Sequence, residues 1–320
     1  MTTHLLLLRH GKAEDEPVDN DFHRELSDKG KRQVQRMAVW LQQHELIPDT
    51  VISSTAPRAL TSAQKCCKAM GIGAQAIIKH EKIYHGTEED LLQLIGQHLP
   101  QSTCLMMVGH NPAMHELLRF IAAPSSLDNH PRRLPTGGLA HFHLPDDPIP
   151  GKGTAELIHL INPKTLPKGF PYPTPSSSEL RKRPSYYYTQ SSVIPYRMND
   201  GLLEILITRS SQKKHWVIPK GIADPGHSLR ESAAKEALEE AGVKGEVANE
   251  AVGQYQYEKW GATCTVTVYP MIVTDVLDDD EWAEKHRGRQ WLTASQAAAT
   301  VRQPEVGRMI KLLEQQLCPA

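Results

Sequence analysis

The sequence predicts an α/β protein with two domains, the first built on a parallel sheet and the second on a mixed sheet. Its 320 residues are more than one ordinary domain needs and enough for two hydrophobic cores. In the first half, apolar runs alternate with helical patterns, the order typical of a parallel sheet covered by helices on both faces. A segment rich in proline and serine then precedes strands and helices in a different order.

The first domain is expected over residues 1–162. The run Leu5-Leu6-Leu7-Leu8 is apolar enough to form a fully buried strand. Later strands are expected near 51–52 and 104–108, and helices over 28–43, about 57–70 and about 112–122. Because helices join the successive strands, these strands are expected to run parallel.

Residues 163–185 are expected to be a linker, because a stretch rich in proline and serine buries too little apolar surface to order itself. The second domain is expected over 186–320. Strands near 191–196 and 202–209 flank Asn199-Asp200-Gly201, a sequence typical of a hairpin turn. They are followed by a helix over 228–241, strands near 252–257 and 264–273, and a closing helix over about 304–317.

The overall composition argues against several classes of protein. Lys+Arg number 36 against 37 for Asp+Glu, a formal net charge of −1, so no global field favours a nucleic acid or an anionic membrane. The cysteines are odd in number, lack a C-x-x-C spacing and are expected to be reduced and buried: Cys66, Cys67, Cys104, Cys264 and Cys318. No basic leader and no apolar run of about 18 residues is present. A cytoplasmic protein is therefore expected.

Cationic side chains follow three predicted strands of the first domain. Arg9, His10 and Gly11 end the first strand, Arg58 follows the second, and His110 follows a later one. Ligands bind at the carboxyl ends of the strands in an open parallel sheet, so these side chains are expected to surround one anion. Phosphoryl transfer needs fixed donors around charged oxygens and a nucleophile in line with the leaving group. The pattern therefore predicts a phosphoryl-transfer site.

Each residue type at this edge has a chemical reason. The guanidiniums of Arg9 and Arg58 match phosphate oxygens, and Arg58 also lies in the first turn of a helix, where the dipole favours an anion. Neutral His10 can act as the nucleophile, because neighbouring positive charge lowers the pKa of its imidazole. His110 would donate to the same phosphoryl group, and Gly11 would let the backbone approach it closely.

The segments LLLLRHGKAE, ISSTAPRALTSA and VGHNPAMHELL resemble the histidine phosphatase superfamily, and the short layout without a lid resembles its SixA-type phosphohistidine phosphatases. The resemblance covers about the first 165 residues. It implies that His10 is phosphorylated during the reaction and that Arg9, Arg58 and His110 bind the phosphoryl group. It also implies that this domain needs no metal.

Most members of that superfamily supply a carboxylic acid to protonate the leaving group. Four carboxyls lie in one segment without a motif that selects among them: Glu81, Glu88, Glu89 and Asp90. The SixA-type members likewise lack an obvious acid, which favours a good leaving group, such as the imidazole of a phosphohistidine, over an alcohol. Outside this site, three histidines are expected to be structural or exposed: His141, His143 and His159.

The helix predicted over 228–241 carries three carboxylates on one face. Glu236, Glu239 and Glu240 are spaced i, i+3 and i+4. Such a face is usually only solvated, but hard divalent ions prefer carboxylate oxygens, and an ion held there can bridge phosphates and activate a water. Gly242 is expected to end the helix. Lys220 offers a nearby positive charge for a polyphosphate.

The stretch over 216–243 resembles the Nudix box, G-x5-E-x7-R-E-U-x-E-E-x-G-U with U apolar, and the matching residues are Gly221, Glu236, Ala237, Glu239, Glu240, Gly242 and Val243. This resemblance covers about 185–317. It implies an α/β/α sandwich and hydrolysis of a diphosphate bond with Mg²⁺ or Mn²⁺ held by the glutamates. The segments VGQYQYEKWG and EWAEKHRGRQWLTASQAA resemble the branch that cleaves diphosphoinositol polyphosphates and diadenosine polyphosphates.

Two positions depart from the box. His227 replaces the first glutamate and Lys235 replaces the arginine, and lysine cannot reproduce the bidentate fork of arginine. In the family these two side chains help to orient the catalytic helix, so slow catalysis, altered substrate choice and binding alone all remain open. The family commonly adds a base from a later loop, and the candidates here are Glu258, Asp278 and Glu281; Arg287 and Arg289 are candidates for phosphate contacts.

These patterns support two functional hypotheses. The first is a two-domain phosphohydrolase that acts through phospho-His10 and also hydrolyses a nucleoside- or inositol-linked diphosphate bond. The second is a phosphohistidine phosphatase whose C-terminal domain only binds a nucleotide or inositol pyrophosphate. The expected partners are phosphorylated small molecules or a phosphohistidine protein. A scaffold without activity is disfavoured, because it has no need of cationic groups gathered at one sheet edge.

Overall fold

The chain folds as two units, Met1–Phe170 and Pro171–Ala320. The computed structural model describes residues 3–15, 20–127, 133–144, 149–171 and 179–318. The division falls within the segment predicted as a linker, and the part of that linker at 172–178 lies outside the described residues. The domain limits predicted from the sequence stay predictions.

The N-terminal unit contains the predicted alternation of strands and helices. Its strands are β1 (Thr3–Arg9), β2 (Thr50–Ser54), β3 (Ile77–His80), β4 (Cys104–Gly109), β5 (Leu139–Leu144) and β6 (Glu156–Ile161). Its helices are α1 (Asp28–Gln43), α2 (Pro57–Met70), α3 (Lys82–His85), α4 (Glu88–His98), α5 (Ala113–Ile121) and α6 (Pro124–Leu127). Short 3-10 helices cover Asp21–His23, Ala74–Ala76 and Leu99–Gln101.

The six strands form one sheet in the order β3-β2-β4-β1-β5-β6. The first four run parallel, as predicted, whereas β5 and β6 are antiparallel to their neighbours. The described residues between β5 and β6 form no crossover helix, and strands joined without a crossover pair antiparallel. The four leucines of β1 are fully buried in the centre of the sheet.

Local sequence signals set the helix boundaries. Ser27 caps α1 by accepting a hydrogen bond from the Gly30 amide at 3.1 Å. Pro57 occupies the first turn of α2, and Gly71 ends that helix at a φ of +84°. Because α2 begins just after β2, it places Arg58 at the carboxyl end of the sheet.

The C-terminal unit is a mixed sheet with helices on both faces. Its strands are β9 (Thr189–Asn199), β10 (Leu202–Arg209), β11 (Trp216–Val217), β12 (Lys220–Ile222), β13 (Val243–Val247), β14 (Gly253–Lys259), β15 (Ala262–Val276) and β16 (Arg289–Thr293), and the short β7 (Phe170–Pro171) and β8 (Leu180–Arg181) precede them. Its helices are α7 (Leu229–Ala241), α8 (Ala294–Thr300) and α9 (Pro304–Leu317), with 3-10 helices at Ser185–Tyr188 and Lys285–Arg287. The predicted hairpin turn joins β9 to β10, with Asp200 and Gly201 at positive φ.

Alternation along the central strands explains the three layers. On β9, Val193 packs with α7, whereas Ile194 packs with the core under α8 and α9. Leu206 and Ile207 on β10 divide in the same way. The fold is therefore the α/β/α sandwich that the sequence predicted.

The cysteines follow the expectation with one exception. Four of them are free and buried, whereas Cys318 is exposed at the end of α9. Within the described residues, no helix combines the length and apolar character needed to cross a membrane.

Candidate active sites

The carboxyl ends of β2, β4 and β1 lie side by side at one edge of the N-terminal sheet. His10 follows β1, His110 follows β4, and Arg58 lies in the first turn of α2 after β2. The imidazole centroids of His10 and His110 are 4.9 Å apart. The structure thus brings together side chains that are far apart in the sequence.

His10 is held as a neutral imidazole with one free lone pair. Its Nδ1 lies 2.7 Å from the carbonyl oxygen of Gly11, so an N–H at Nδ1 donates there and leaves the lone pair on Nε2. Burial lowers the pKa of His10 to about 4, and the charges of Arg58 and Arg9 act in the same direction. At neutral pH the ring is therefore available as a nucleophile.

Arg58 is buried and fixed by a carboxylate that the sequence did not reveal. Its Nη2 lies 2.6 Å from Oδ2 of Asp21, and its Nη1 donates to the Asp21 carbonyl at 2.6 Å. The hydroxyl of Tyr84 donates to the same Oδ2 at 3.3 Å. Burial acts to raise the pKa of Asp21, but the hydrogen bond from Arg24 and the charge of Arg58 lower it overall. Asp21 is therefore ionised at neutral pH and suited to position Arg58, not to donate a proton.

The four carboxyls considered as proton donors have other surroundings. Asp90 accepts a hydrogen bond from the Thr87 amide at 3.0 Å in the capping box of α4. Among the described residues, Glu81, Glu88 and Glu89 make no hydrogen bond to the groups around His10. The structure therefore does not single out a general acid from this segment.

His110 is also buried and neutral. Its Nε2 lies 2.9 Å from the hydroxyl of Ser54, at the end of β2. Burial lowers the pKa of His110 to about 3, with the charges of His10 and Arg58 contributing in the same direction. Its buried Nδ1 has no hydrogen-bond partner within the described part of the chain. A buried polar atom in this state is costly unless a ligand completes it.

Arg9 connects this site to a cavity rich in positive charge. Its Nη1 donates to the Leu134 carbonyl at 3.2 Å, and its buried Nε has no partner among the described residues. The cavity has a volume of about 1090 Å³. Its described lining contains no carboxylate and six cationic side chains, namely Arg9, Lys12, Lys29, Arg119, Arg133 and Lys164. Only anionic ligands match such a lining.

Glycines at this edge serve packing between elements. A Cβ at Gly11 would lie 2.6 Å from the carbonyl oxygen of Gly30, and the Gly11 amide already donates to the Ser62 hydroxyl at 3.1 Å. At Gly109, a Cβ would lie 2.8 Å from the Ile83 side chain. The close approach at Gly11 is thus between the strand end and α1, and direct substrate binding by this residue stays a prediction.

The C-terminal candidate site is organised by α7. Ser228 and Glu231 form a capping box at its start, and Gly242 ends it at a φ of +62°. Ala237 and Ala241 pack on the sheet, which turns the glutamate face toward a cavity of about 810 Å³. Glu236 and Glu240 line this cavity.

Glu240 is buried in an ion pair. Its Oε1 lies 2.7 Å from Nη2 of Arg287, and its Oε2 accepts a hydrogen bond from the Lys220 amide at 3.0 Å. Arg287 also pairs with Glu284 and donates to the Arg209 carbonyl at 3.2 Å. These contacts hold Glu240 in place, while Arg287 also lines the cavity, so its expected contact with phosphate stays a prediction.

Arg289 has a structural position as well. Its Nη1 donates to the carbonyls of Ala241 and Gly242 at 3.1 and 3.0 Å, which satisfies acceptors at the end of α7. Its Nη2 also contacts Asp279 at 3.1 Å. Arg289 is not among the described lining of the cavity, and its expected contact with phosphate stays a prediction.

Glu236 is held tightly against the strand that begins the box. A Cβ at Gly221 would lie 1.9 Å from its Oε1, so a larger residue there would displace the Glu236 carboxylate. Burial raises the pKa of Glu236 to about 8, and the charges of Glu240 and Glu239 add to the effect. At neutral pH the protonated form of this buried carboxyl is therefore favoured unless a cation takes the place of the proton.

The two departures from the box are linked to an unexpected carboxylate. Nζ of Lys235 lies 2.6 Å from Oδ2 of Asp224 and 3.8 Å from Oε1 of Glu239. His227 is exposed. Asp224 thus pairs with Lys235, the residue at the arginine position of the box. His227, at the position of the first glutamate, does not fill this role in the described structure. No motif marks Asp224 in the sequence.

The lining of the cavity also bears on the candidates for a catalytic base and on Lys220. Glu258 lines the cavity, whereas Asp278 and Glu281 are not among its described lining. Nζ of Lys220 lies 3.2 Å from Oε1 of Gln190 and 3.1 Å from the Tyr257 hydroxyl. Lys220 also lines the cavity, and its contact with a polyphosphate stays a prediction.

The donor set in this cavity fits a divalent cation. Carboxylate oxygens are the ligands that Mg²⁺ and Mn²⁺ prefer, and a bound cation would favour the ionised form of Glu236 over the protonated form that burial favours. Among the described residues, the three glutamates do not come close enough together to be preformed ligands. Glu236 and Glu240 line the cavity, whereas Glu239 is not among its described lining, and both oxygens of Glu240 already have partners. The assignment of the three glutamates as metal ligands stays a prediction.

Comparison with known proteins finds a matching family for each of the two units. The family model described as NUDIX domain matches residues 189–315, and that described as Histidine phosphatase superfamily (branch 1) matches 5–100. Nudix hydrolase 18, mitochondrial, of Arabidopsis thaliana is 33% identical over 135 residues, which are 39% of this chain and 74% of that protein. The asymmetrical bis(5'-nucleosyl)-tetraphosphatase of Sus scrofa is 26% identical over 129 residues, or 39% of this chain and 88% of that protein.

The fold and the matches define a protein built from two families of hydrolases. The chain belongs to the Nudix hydrolases through its C-terminal unit, and residues 5–100 of its N-terminal unit match the model of the histidine phosphatase superfamily. The chain spans 63%, 64% and 61% of three further Arabidopsis thaliana Nudix hydrolases that it matches. A putative phosphohistidine phosphatase SixA from Agrobacterium tumefaciens is similar at 28% identity, with a TM-score of 0.41, covering 50% of this chain and 98% of that chain.

Proposed function

We propose that the protein is a two-domain phosphohydrolase. The N-terminal domain removes a phosphoryl group through a phospho-His10 intermediate, and the C-terminal domain hydrolyses a nucleoside- or inositol-linked diphosphate bond with Mg²⁺ or Mn²⁺. The observation that carries the proposal is a neutral His10 beside His110 and the fixed guanidinium of Arg58.

The first reaction follows from the protonation of His10. The lone pair on Nε2 attacks the phosphorus, a new N–P bond forms, and the bond to the leaving group breaks with its electron pair going to that group. Arg9, Arg58 and His110 hold the phosphoryl oxygens during the transfer. Water then attacks phospho-His10, releasing inorganic phosphate and restoring the imidazole.

A good leaving group suits this site. Asp21 is ionised and paired with Arg58, so it offers no proton to a departing oxygen. An imidazole leaves with less need of a proton than an alkoxide does. A phosphohistidine is therefore the favoured first substrate, and a phosphomonoester with an acidic leaving group is the second.

The C-terminal reaction depends on an ion held by Glu236 and Glu239. When bound, such an ion supplies charge to a diphosphate and lowers the pKa of a water. Lys220 binds a phosphate oxygen, and Glu258, the candidate base that lines the cavity, receives the proton of the attacking water. Glu240 positions the Lys220 backbone through its hydrogen bond.

Polyphosphorylated small molecules are the proposed substrates of the second reaction. The name of the Sus scrofa relative, bis(5'-nucleosyl)-tetraphosphatase, points to diadenosine polyphosphates as one class. Inositol pyrophosphates are the other class. We propose a cytoplasmic location, and phosphorylated small molecules or a phosphohistidine protein as partners, with no role for a nucleic acid or a membrane.

A substrate panel with and without divalent metal tests the proposal. The wild type, His10→Ala and Glu239→Gln are assayed on a phosphohistidine peptide, nucleoside triphosphates, diadenosine polyphosphates and inositol pyrophosphates. His10→Ala is expected to abolish metal-independent release of phosphate, and Glu239→Gln to abolish the metal-dependent cleavage. Glu250→Gln, an exposed glutamate in the same unit, is the matched control. The proposal fails if both variants behave like the wild type on every substrate.

A second function is favoured by the contacts of Glu240. Because that carboxylate is already paired with Arg287, the C-terminal domain could bind a nucleotide or an inositol pyrophosphate without turning it over. Isothermal titration separates the two possibilities. Tight binding without cleavage in the presence of Mg²⁺ supports a sensor, and cleavage excludes it.

A further inference from the structure

Three histidines lie together on one face of the N-terminal sheet. His4 is near the start of β1 and pairs directly with His143 on β5, and His141 is two residues away on the same strand. One ligand atom from each of the three lies within 4.8 Å of the others. Across the described ranges, this is the one group of three or more potential metal-ligating side chains with such spacing.

We propose that His4, His141 and His143 bind a divalent transition-metal ion, with Zn²⁺ as the reference ion. Imidazole nitrogens suit zinc, copper and nickel, whereas Mg²⁺ and Ca²⁺ prefer oxygen ligands. Three protein ligands leave the fourth tetrahedral position for a water. This site is separate from the glutamate cavity and does not depend on the activities proposed above.

The two ring nitrogens of His141 make separate contacts, as in metal-binding histidines, where one nitrogen binds the metal and the other holds the ring in place. Nε2 of His141 lies 3.0 Å from Nδ1 of His4, on the side of the proposed ion. Its other nitrogen, Nδ1, lies 3.1 Å from Nδ1 of His159. Metal-ligating histidines usually use the second nitrogen in such an outer contact, which fixes the orientation of the ring.

His143 has a corresponding outer partner. Its Nδ1 lies 3.8 Å from the Glu156 carboxylate, which leaves Nε2 to face the ion. A carboxylate behind a ligating histidine increases the basicity of the ring. Both outer partners lie on β6, so a single neighbouring strand supports the two ligands on β5.

The exposure of the cluster also suits metal binding. His141 is 3% exposed, whereas 36% of the His143 side chain is exposed. An ion can therefore enter from the His143 side.

A chain of hydrogen-bonded neutral histidines is the competing explanation. It accounts for the contacts of His141 with His4 and His159, but it gives no reason for His143 to place a ligand atom near both. The same unit contains a natural control for this explanation. His80 and His98 also have their Nε2 atoms 3.0 Å apart, without a third ligand.

The ion would act on stability and not on the reaction at His10. Six residues separate His4 from His10 along one extended segment, a span of about 20 Å at roughly 3.3 Å per residue. Bound metal would join β1 to β5 beside the strand whose far end carries the nucleophile. It is therefore expected to raise the thermal midpoint without being needed for phosphatase turnover.

The test is titration of the full-length protein with Zn²⁺ in excess Mg²⁺, which occupies oxygen-ligand sites. One tight Zn²⁺ per chain is expected, and Co²⁺ in its place should give the visible absorption of tetrahedral nitrogen coordination. His143→Ala, at the half-exposed position, should weaken Zn²⁺ binding by more than the about 10- to 100-fold typical of losing an outer partner. His159→Ala should weaken it within that smaller range, and His98→Ala should leave it unchanged.

Four results would overturn the proposal. One is the absence of tight Zn²⁺ binding to the wild type, and another is equal binding by His143→Ala. The third is an equal loss in His98→Ala. The fourth is a six-coordinate Co²⁺ spectrum, which would indicate an oxygen site. Circular dichroism and the His10-dependent activity show that His143→Ala is folded, and His4→Asn provides an independent ligand variant on the other strand.

Discussion

The buried ion pair between Glu240 and Arg287 should contribute strongly to the stability of the C-terminal unit. Both residues are 8% exposed, and their charged atoms are 2.7 Å apart. At that distance and an effective dielectric constant of about 20, the gross attraction is about 6 kcal/mol. Removing one partner of a buried pair typically costs about 3–5 kcal/mol, because the other charge remains desolvated.

For Arg287→Met we expect the lower end of that range. Glu240 keeps its hydrogen bond from the Lys220 amide, and burial raises the pKa of its carboxyl, so proton uptake can relieve part of the lost pairing. A loss of about 3 kcal/mol corresponds to a fall of about 6–12 °C in the thermal midpoint of a unit of this size. Glu240→Gln should cost less, because Arg287 retains Glu284.

Urea unfolding followed by tryptophan fluorescence measures this effect. Four of the five tryptophans lie in the C-terminal unit: Trp216, Trp260, Trp282 and Trp291. Arg308→Met is the matched control, since Arg308 is exposed and pairs with Glu305 at 3.3 Å on the surface of α9. Such surface pairs contribute about 0–1 kcal/mol. The reasoning is refuted if Arg287→Met destabilises no more than Arg308→Met does.

Four further predictions concern single side chains. The rate of His10 phosphorylation, followed as acid-labile label, should stay level as pH falls below 6.5, because the pKa of His10 is about 4; a decline centred near 6.5 would contradict this. The free energy of unfolding of the N-terminal unit should be greatest above about pH 6.5 and should fall toward pH 4. The reason is that the pKa values of His10 and His110 are lowered in the folded state, so the unfolded chain binds more protons in this range. A free energy of unfolding that does not change between these pH values would argue against it. Asp21→Asn should reduce phosphatase turnover about 10-fold or more by releasing the guanidinium it holds, with an unchanged melting curve as the check. Gly221→Ala should abolish the metal-dependent activity, since the new Cβ would lie 1.9 Å from Oε1 of Glu236, while the His10 reaction in the same chain serves as the control.

Most of the secondary structure could be predicted, because its signals are local. The helix predicted over 28–43 is α1 at Asp28–Gln43, and a capping serine stands directly before it. The β9–β10 turn was marked by Asp200 and Gly201, which have the positive φ values that the turn needs. The antiparallel β5 and β6 were less predictable, since no local signal distinguishes them from further parallel strands.

The candidate sites were only partly predictable. The strand end that carries Arg9 and His10 can be identified from the sequence, because these two basic residues directly follow the four leucines of a buried strand. Asp21 could not be identified, since its partner Arg58 is far away in the chain and no motif surrounds either contact. The contacts of Arg287 with Glu240 and of Arg289 with the end of α7 were not predictable for a similar reason, because charge alone does not show which acceptors lie nearby.

By itself, the sequence determined the resemblance to two families, the elements of each domain and the residue types at both candidate sites. These features depend on periodicity, caps and motifs that involve neighbouring residues. Only the tertiary structure decided that Glu240 pairs with Arg287, that Asp224 contacts Lys235 and that His4 meets His141 and His143. Such contacts depend on strand order and helix orientation, which bring distant side chains within a few ångströms of one another.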